Sequence, residues 1–385
     1  MLVTVVFATA CTGPTGADRS TPTATLAPTT PTPSAAAPGI GSVGGPGIAA
    51  VLPVTRPDRL AWTDLGETPA SGYGVVDVVS RRYVVRHTAD ERTVEVRRRA
   101  DNTLVVRHRS GDPEWTPAFA DLAGDQLVLV EGSYEPGPAR LYVYDLRTGR
   151  RVADIRRAPP HSALPQMTTV TDDGRLFYGA TVPGRGTSAF NCVAMVDLIT
   201  WVTTLVECAA DGSSEEVGKF LYASEDGAAW VRGNAQDDGS CSGGSGISGQ
   251  RLITVAECRT FAVTFVGGWS VWSVGQFSEF FQAAMMLRAS DGDRTVDLGQ
   301  VESWRLTMCG RYAYWSPPSG KTNRLLRWRP GLPHVEVAYE SAGLDDDGVD
   351  LQTIGGCADG MLTIQLLVDP GNGPRVRVLA LDSTV

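Results

Sequence analysis

The sequence predicts an all-β domain assembled from repeats. Three observations carry that expectation. From Arg59 to the end of the 385-residue chain, short apolar runs alternate with clusters of Gly, Asp and Ser, and no run has the apolar periodicity of an amphipathic helix. A small polar or glycine turn followed by an apolar, often aromatic, run recurs seven times. The recurrences are spaced by roughly 40–50 residues, the length of one supersecondary unit of several short strands.

The recurring element reads SRRYVVRH from Ser80, AGDQLVLV from Ala123, TDDGRLFYG from Thr171, SEDGAAWV from Ser224, VGGWSVW from Val266, MCGRYAYW from Met308 and CADGMLTIQ from Cys357. Arg81, Gly124, Gly174, Gly227, Gly268, Gly310 and Gly360 anchor the copies. A further strand follows most anchors after a variable loop: RTVEVRRR, ARLYVYDLRTGR, CVAMVDLITW, GQRLITVAEC, AAMMLRASDGD, NRLLRWRPG and PRVRVLALD. Turns such as DLRTG and ASDGD have the chemistry of tight hairpins. A single four-stranded sheet cannot bury both faces, whereas a closed ring of such sheets buries them all and leaves only short edges. The expected fold is therefore a β-propeller of seven blades with about four strands each. The last unit ends after three strands, at Leu381, and RLAWTD (Arg59–Asp64) is a strand without a partner in the first unit. That N-terminal strand is expected to complete the last blade and close the ring. The same strands would also build a pair of β-sandwiches, the alternative architecture.

From Arg59 to Leu381 the repeats resemble those of TolB-like and WD-repeat-like propellers in pattern and spacing. No consistent Trp-Asp pair ends the units, and no quinone-docking tryptophan motif recurs. TDDGRLF and SEDGAAW resemble the Asp-boxes of sialidase-type propellers, shortened by one residue between Asp and Gly. The resemblance implies a fold and carries no family activity with it.

The N-terminus has a different character. Residues 1–10 carry no charge and have the length of the apolar core of an export signal, although the basic residues that open such signals are absent. Ala8-Thr9-Ala10-Cys11 resembles the lipobox of bacterial lipoproteins, with Ala8 where leucine is usual. The resemblance implies that Cys11 becomes the lipidated first residue after cleavage; a plain secretory signal is the alternative. Residues 12–57 are dense in Thr, Pro, Ala and Gly and nearly without charge. They cannot bury enough surface to offset chain entropy and are expected to form an extended, disordered linker. The chain thus divides into a signal and lipobox at 1–11, a linker at 12–57 and a propeller at 58–385.

Six cysteines remain beyond Cys11: Cys192, Cys208, Cys241, Cys258, Cys309 and Cys357. An even number in an exported chain suggests disulfides. Cys192 to Cys208 and Cys241 to Cys258 are similarly spaced and both end in Glu-Cys, so each pair is expected to close its own unit. Cys309 and Cys357 then pair, at equivalent turns of neighbouring blades.

A net charge of −9 argues against a general nucleic-acid binder. Lone motifs fail: PSGKTN lacks the first glycine of a phosphate loop, and in GGSGISG (243–249) neither serine has glycine at both positions two away, as a nucleophile elbow requires, so the stretch reads as a flexible loop. His87, His108, His161 and His334 are scattered among units. Asp345, Asp347 and Asp350 form the one candidate cation site, with calcium as the candidate ion, against a solvated acidic turn. Arg97 and Arg99 alternate onto one face of a basic first unit, suited to an anionic polymer or membrane surface; a solvated face partnered by Glu91, Glu95 and Asp101 is the plainer reading. Trp230, Trp269, Trp272, Trp304, Trp315 and Trp328 are expected mostly between blades. The function these features favour is a non-catalytic binding or scaffold protein of the cell envelope, lipid-anchored outside the cytoplasmic membrane or secreted. Its partner would be another envelope protein or a cell-wall component. The alternative is a metal-assisted hydrolase or lyase centred on the channel, with Asp77, Asp350 and Gln352 as its polar groups.

Overall fold

Antiparallel hairpins account for nearly all of the computed structural model. It describes residues between 51 and 384, apart from 58–59, 70–75, 89, 91, 112–113, 133–139, 156–167, 186–189, 225–226, 234–242, 249–250, 256–259, 276–284, 303–304, 319–321, 342–348 and 369–373. Among the described residues there is no helix.

In chain order, β1 (Val54–Thr55) and β2 (Trp62–Pro69) precede the first complete sheet. Blade one is β3 (Val76–Val79), β4 (Tyr83–His87), β5 (Thr93–Arg98) and β6 (Leu104–Arg109). Blade two is β7 (Thr116–Ala123), β8 (Gln126–Gly132), β9 (Arg140–Asp145) and β10 (Arg150–Ile155). Blade three is β11 (Thr168–Val170), β12 (Arg175–Ala180), β13 (Cys192–Asp197) and β14 (Thr203–Cys208). Blade four is β15 (Val217–Ser224), β16 (Gly227–Arg232), β17 (Gly243–Ser248) and β18 (Arg251–Val255). Blade five is β19 (Thr260–Val266), β20 (Trp269–Val274), β21 (Met285–Ser290) and β22 (Thr295–Val301). Blade six is β23 (Leu306–Cys309), β24 (Tyr312–Trp315), β25 (Asn323–Trp328) and β26 (Val335–Ser341). Blade seven is β27 (Val349–Ala358), β28 (Met361–Val368), β29 (Arg375–Asp382) and, outermost, β2.

The first strands of successive blades touch all the way round, from β3 to β7 and on to β27, which returns to β3. The chain is a seven-bladed propeller. The anchors read from the sequence fall at the first hairpin turn of each blade, where Gly124, Gly174, Gly268, Gly310 and Gly360 adopt φ between +57° and +85°. Side chains rarely tolerate that backbone conformation, which is why glycine marks the repeat. β2 pairs antiparallel with β29, Trp62 opposite Leu381, and closes the ring as expected. Trp62 also reaches blade six: its indole N–H donates to the Ala338 carbonyl at 2.9 Å and its ring meets Tyr339 edge-on.

Buried apolar side chains fall, among the described residues, into seven clusters, one at each interface between neighbouring blades. Trp230, Trp269, Trp272, Trp315 and Trp328 are buried in them, as the sequence leads one to expect; Trp304 lies outside the described residues. Cys192 pairs with Cys208 within blade three, and Cys309 with Cys357 joins blade six to blade seven. Cys241 and Cys258 lie outside the described residues.

Two features depart from the sequence reading. GGSGIS is no loop: it is β17, the third strand of blade four, while RLITV (Arg251–Val255) supplies the fourth. Its glycines are there for contact. A Cβ on Gly246 would lie 2.2 Å from Phe265 and 2.8 Å from the Ala228 carbonyl, and one on Gly244 would press on Val263. Blade five packs directly on this bare backbone. The second feature is β1, from the end of the segment assigned to the linker. It adds parallel to β26, Val54 opposite Val335, and Leu52 N–H donates to the Asp297 carbonyl of blade five at 3.0 Å. The described part of residues 51–69 thus runs along the outer rim over blades five, six and seven.

Gly246→Ala is expected to cost about 1–3 kcal/mol, because the added methyl meets backbone and ring atoms together. Gly111→Ala, with open space around it, should be neutral in the same urea titration followed by circular dichroism. Replacing both Cys309 and Cys357 by serine removes a bridge across 48 residues and should lower unfolding free energy by about 4 kcal/mol in the chain-entropy estimate.

Candidate functional site

The strands of blades one to six run outward as a meander, so the first and third hairpin turns of each share one face of the ring. Two of the third turns repeat a motif. DLRTG (Asp145–Gly149) joins β9 to β10, and DLITW (Asp197–Trp201) leads from β13 toward β14. In the first, Asp145 Oδ1 accepts from the Arg147 N–H at 2.9 Å, and Gly149 N–H donates to the Asp145 carbonyl at 2.8 Å with φ +69°. In the second, Asp197 Oδ1 accepts from the N–H groups of Ile199 (2.8 Å) and Thr200 (2.9 Å), and Trp201 N–H donates to the Asp197 carbonyl at 2.8 Å. Trp201 holds φ +61°, the conformation that glycine takes in the sister turn. Leu146 and Leu198 are buried beneath the two turns. The outward residue is Arg147 in one and Ile199, 74% exposed, in the other.

These turns, with the first turns of blades two and three, wall a groove of ≈ 450 Å³. Asp125, Asp145, Asp172 and Asp173 line it with Arg147, and Val152, Ile199 and Trp201 add apolar surface. Arg82 reaches Asp125 at 2.7 Å and Arg175 reaches Asp173 at 2.8 Å. Asp172 is differently placed. Its Oδ1 accepts from the Asp359 N–H at 3.0 Å, so the first turns of blades three and seven meet across the short-turn mouth. Desolvation by the surrounding protein pushes the Asp172 carboxyl above the usual carboxylate range, with the charges of Asp359 and Asp173 adding to it against the Asp359 hydrogen bond. Desolvation acts on Asp173 as well, yet hydrogen bonds from Arg175 and Thr171 prevail and hold it low. The Asp197 carboxylate is held low chiefly by the Thr200 N–H.

The groove can bind; its lining holds no histidine, cysteine or serine nucleophile. Among the described residues no three His, Cys, Asp or Glu side chains gather as metal ligands. The sequence marks none of the groove residues, because Asp beside Gly or Leu reads as turn chemistry. The one signal is DLITW beside DLRTG, a tryptophan standing in the place of a glycine.

The residues singled out from the sequence are dispersed. Cys11, Asp345 and Asp347 lie outside the described residues; Asp350 is in β27, opposite Leu367. Asp77 and Gln352 fall on the inner strands β3 and β27. Those inner strands crowd the axis: β15 also reaches β23, and β27 reaches β7, each skipping a blade. Arg97 is held by Glu95 at 3.0 Å and by the Asn102 carbonyl, and Arg99 donates to the Ser80 carbonyl at 3.0 Å. Glu95 also takes Arg107, so this carboxylate is shared by two arginines.

His108 finds a partner far from it in sequence. Its Nε2 lies 2.6 Å from Glu131 Oε1 and its Nδ1 2.6 Å from the Tyr144 hydroxyl. His108 is 7% exposed and Glu131 1%, at the seam of blades one and two. The pair is enclosed and rivets two sheets together. His87 Nε2 meets the Pro117 carbonyl, His334 lies 3.7 Å from Glu336, and His161 is outside the described residues.

No protein-family model and no curated protein matches the chain. Solved structures do. The β-propeller domain of the Trilobed protease from Pyrococcus furiosus, described as having an open velcro topology, matches with TM-score 0.51 at 10% identity, over 82% of this chain and 94% of that one. In the present chain β2 fastens the ring instead. An oligogalacturonate lyase in complex with manganese matches with TM-score 0.44 at 11% identity, over 84% of this chain and 98% of that one. BamB from Moraxella catarrhalis matches with TM-score 0.42 at 10% identity, over 83% and 98%. At these identities the likeness is one of fold.

Burial drives the Glu131 carboxyl upward, but hydrogen bonds from His108, Tyr142 and Ser110 and the charge of His108 outweigh it and hold the group below 4.5. On acidification the unfolded chain therefore takes up this proton first. The stability that Glu131 contributes is complete above its ordinary value of 4.5 and is lost as pH falls through the lower folded value. Glu131→Gln should cost about 1–3 kcal/mol at pH 7, and thermal melts of wild type and variant should converge as pH falls below that ordinary value.

Proposed function

We propose that this protein is an exported, membrane-tethered propeller that acts by binding another protein of the cell envelope rather than by catalysis. The groove between blades two and three carries the reading. It combines fixed charge with exposed apolar surface on rigid hairpin turns, the make-up of a recognition surface, and its lining holds no histidine, cysteine or serine.

Export is supported by the Cys192–Cys208 and Cys309–Cys357 disulfides, since cytosolic reductants keep thiols open. Tethering is supported by the lipobox-like Ala8-Thr9-Ala10-Cys11 and by the Pro- and Thr-rich stretch after it. The path of residues 51–55 fits the same reading. They join the outer rim at blades five and six, away from the groove of blades two and three.

Cys11→Ser should move the protein from the detergent-extracted membrane fraction to the soluble exported fraction while leaving its melting temperature unchanged. Retention in the membrane fraction would count against lipid tethering. Cross-linking of the native protein on intact cells, read by mass spectrometry, should give one dominant, saturable protein partner. Finding none above background would turn attention to a small-molecule site.

A further inference from the structure

We propose that the groove between blades two and three docks an extended polypeptide segment that places a basic side chain among Asp125, Asp145, Asp172 and Asp173 and an adjacent apolar side chain against Ile199, Trp201 and Val152. The proposal rests on the binding role argued above and names the chemistry of the partner.

Charge complementarity is the first argument. Four carboxylates line the groove against one lining cation, Arg147, which folds back onto Asp145 of its own turn. Arg82 and Arg175 neutralise Asp125 and Asp173 from outside. Asp172 has the Asp359 N–H as partner and, among the described residues, no ion-paired cation. One carboxylate is therefore left for a guest ammonium or guanidinium, and a guest cation relieves the repulsion among Asp172, Asp173 and Asp359.

Apolar exposure is the second. Two large apolar side chains that face solvent line this groove, Val152 on β10 and Ile199 in the third turn of blade three, where Ile199 is 74% exposed. Charged groups next to apolar area suit a segment in which basic and apolar residues are neighbours. An anionic lipid surface or nucleic acid would meet the carboxylates and be repelled.

The third is the turn itself. DLRTG shows what this hairpin takes without strain, a glycine at positive φ. DLITW puts a tryptophan there, in a backbone conformation that side chains rarely adopt, and the result is an aromatic wall at the groove beside the outward Ile199. The volume of ≈ 450 Å³ takes one or two side chains, the scale of an anchor rather than of a whole domain.

The test uses the purified full chain and three fluorescein-labelled, end-blocked pentapeptides: alternating Leu and Lys, alternating Leu and Glu, and alternating Gly and Lys. Fluorescence anisotropy should show the Leu/Lys peptide binding at least tenfold more tightly than the other two. Asp172→Asn combined with Asp173→Asn, and separately Ile199→Ser, should each weaken it about tenfold. Ile199→Ser removes an exposed side chain and should leave the melt unchanged. Equal binding of the three peptides, or binding indifferent to these variants, would overturn the proposal. Concentration-dependent dimers in sedimentation that vanish in Ile199→Ser would assign the groove to a second copy and likewise overturn it. If cells carrying these variants keep the same saturable cross-linked partner, the binding role stands and the groove is excluded as its site.

Discussion

Sheet packing against sheet, repeated at seven seams, holds this molecule together. The apolar interior is divided among the seams rather than gathered into one core. Each blade has two apolar faces and buries each against a different neighbour, so no blade is complete alone. The arrangement is stable only if the last blade meets the first. The chain secures that closure at two places: β2, which precedes blade one, supplies the outer strand of blade seven, and Arg81 of blade one pairs with Asp382 of blade seven; the Cys309–Cys357 bridge fastens the neighbouring seam of blades six and seven.

The same constraint explains local features that look odd in isolation. Blade four carries glycines in mid-strand because Phe265 and Val263 of blade five lie flat on its backbone. Strand interiors usually lose stability from glycine, and here the close approach of a neighbouring sheet is what it makes room for. His108 and Glu131 are a polar counterpart at another seam. Two groups that would be costly to bury singly are tolerated because each satisfies the other, with Tyr144 completing the histidine.

A ring held at its seams is rigid, and rigidity shapes what it can do. Hairpin turns fixed at both ends present side chains at set distances, which favours recognition by surface. The groove of blades two and three is built this way. Buried Leu198 forms part of its floor, aspartates that cap the turns wall it, and its rim is whatever residue each turn leaves outward. An arginine in one turn and an isoleucine in the next make its two sides unlike.

Much of the fold is legible in the sequence by itself. Turn residues at seven anchors, the three-strand last unit and the spare strand at Arg59 foretell seven blades and their closure, and cysteine spacing foretells the Cys192–Cys208 and Cys309–Cys357 pairs. The blade repeat and the Cys192–Cys208 pair depend on hairpins, whose two strands are neighbours in sequence and whose turn chemistry is local; the closure follows from one strand too few at the end and one to spare at the start, and the Cys309–Cys357 pair from the two cysteines the other pairings leave. What only the tertiary structure decides lies between blades. Gly246 reads as loop because Phe265, the reason for it, belongs to another sheet. Asp125, Asp172, Asp173 and Trp201 read as separate turns because only the stacking of blade on blade gathers them around one groove, and the Glu131 that meets His108 belongs to the next blade. Contacts across a seam arise from how whole sheets twist and stack, and no short stretch of sequence carries that information.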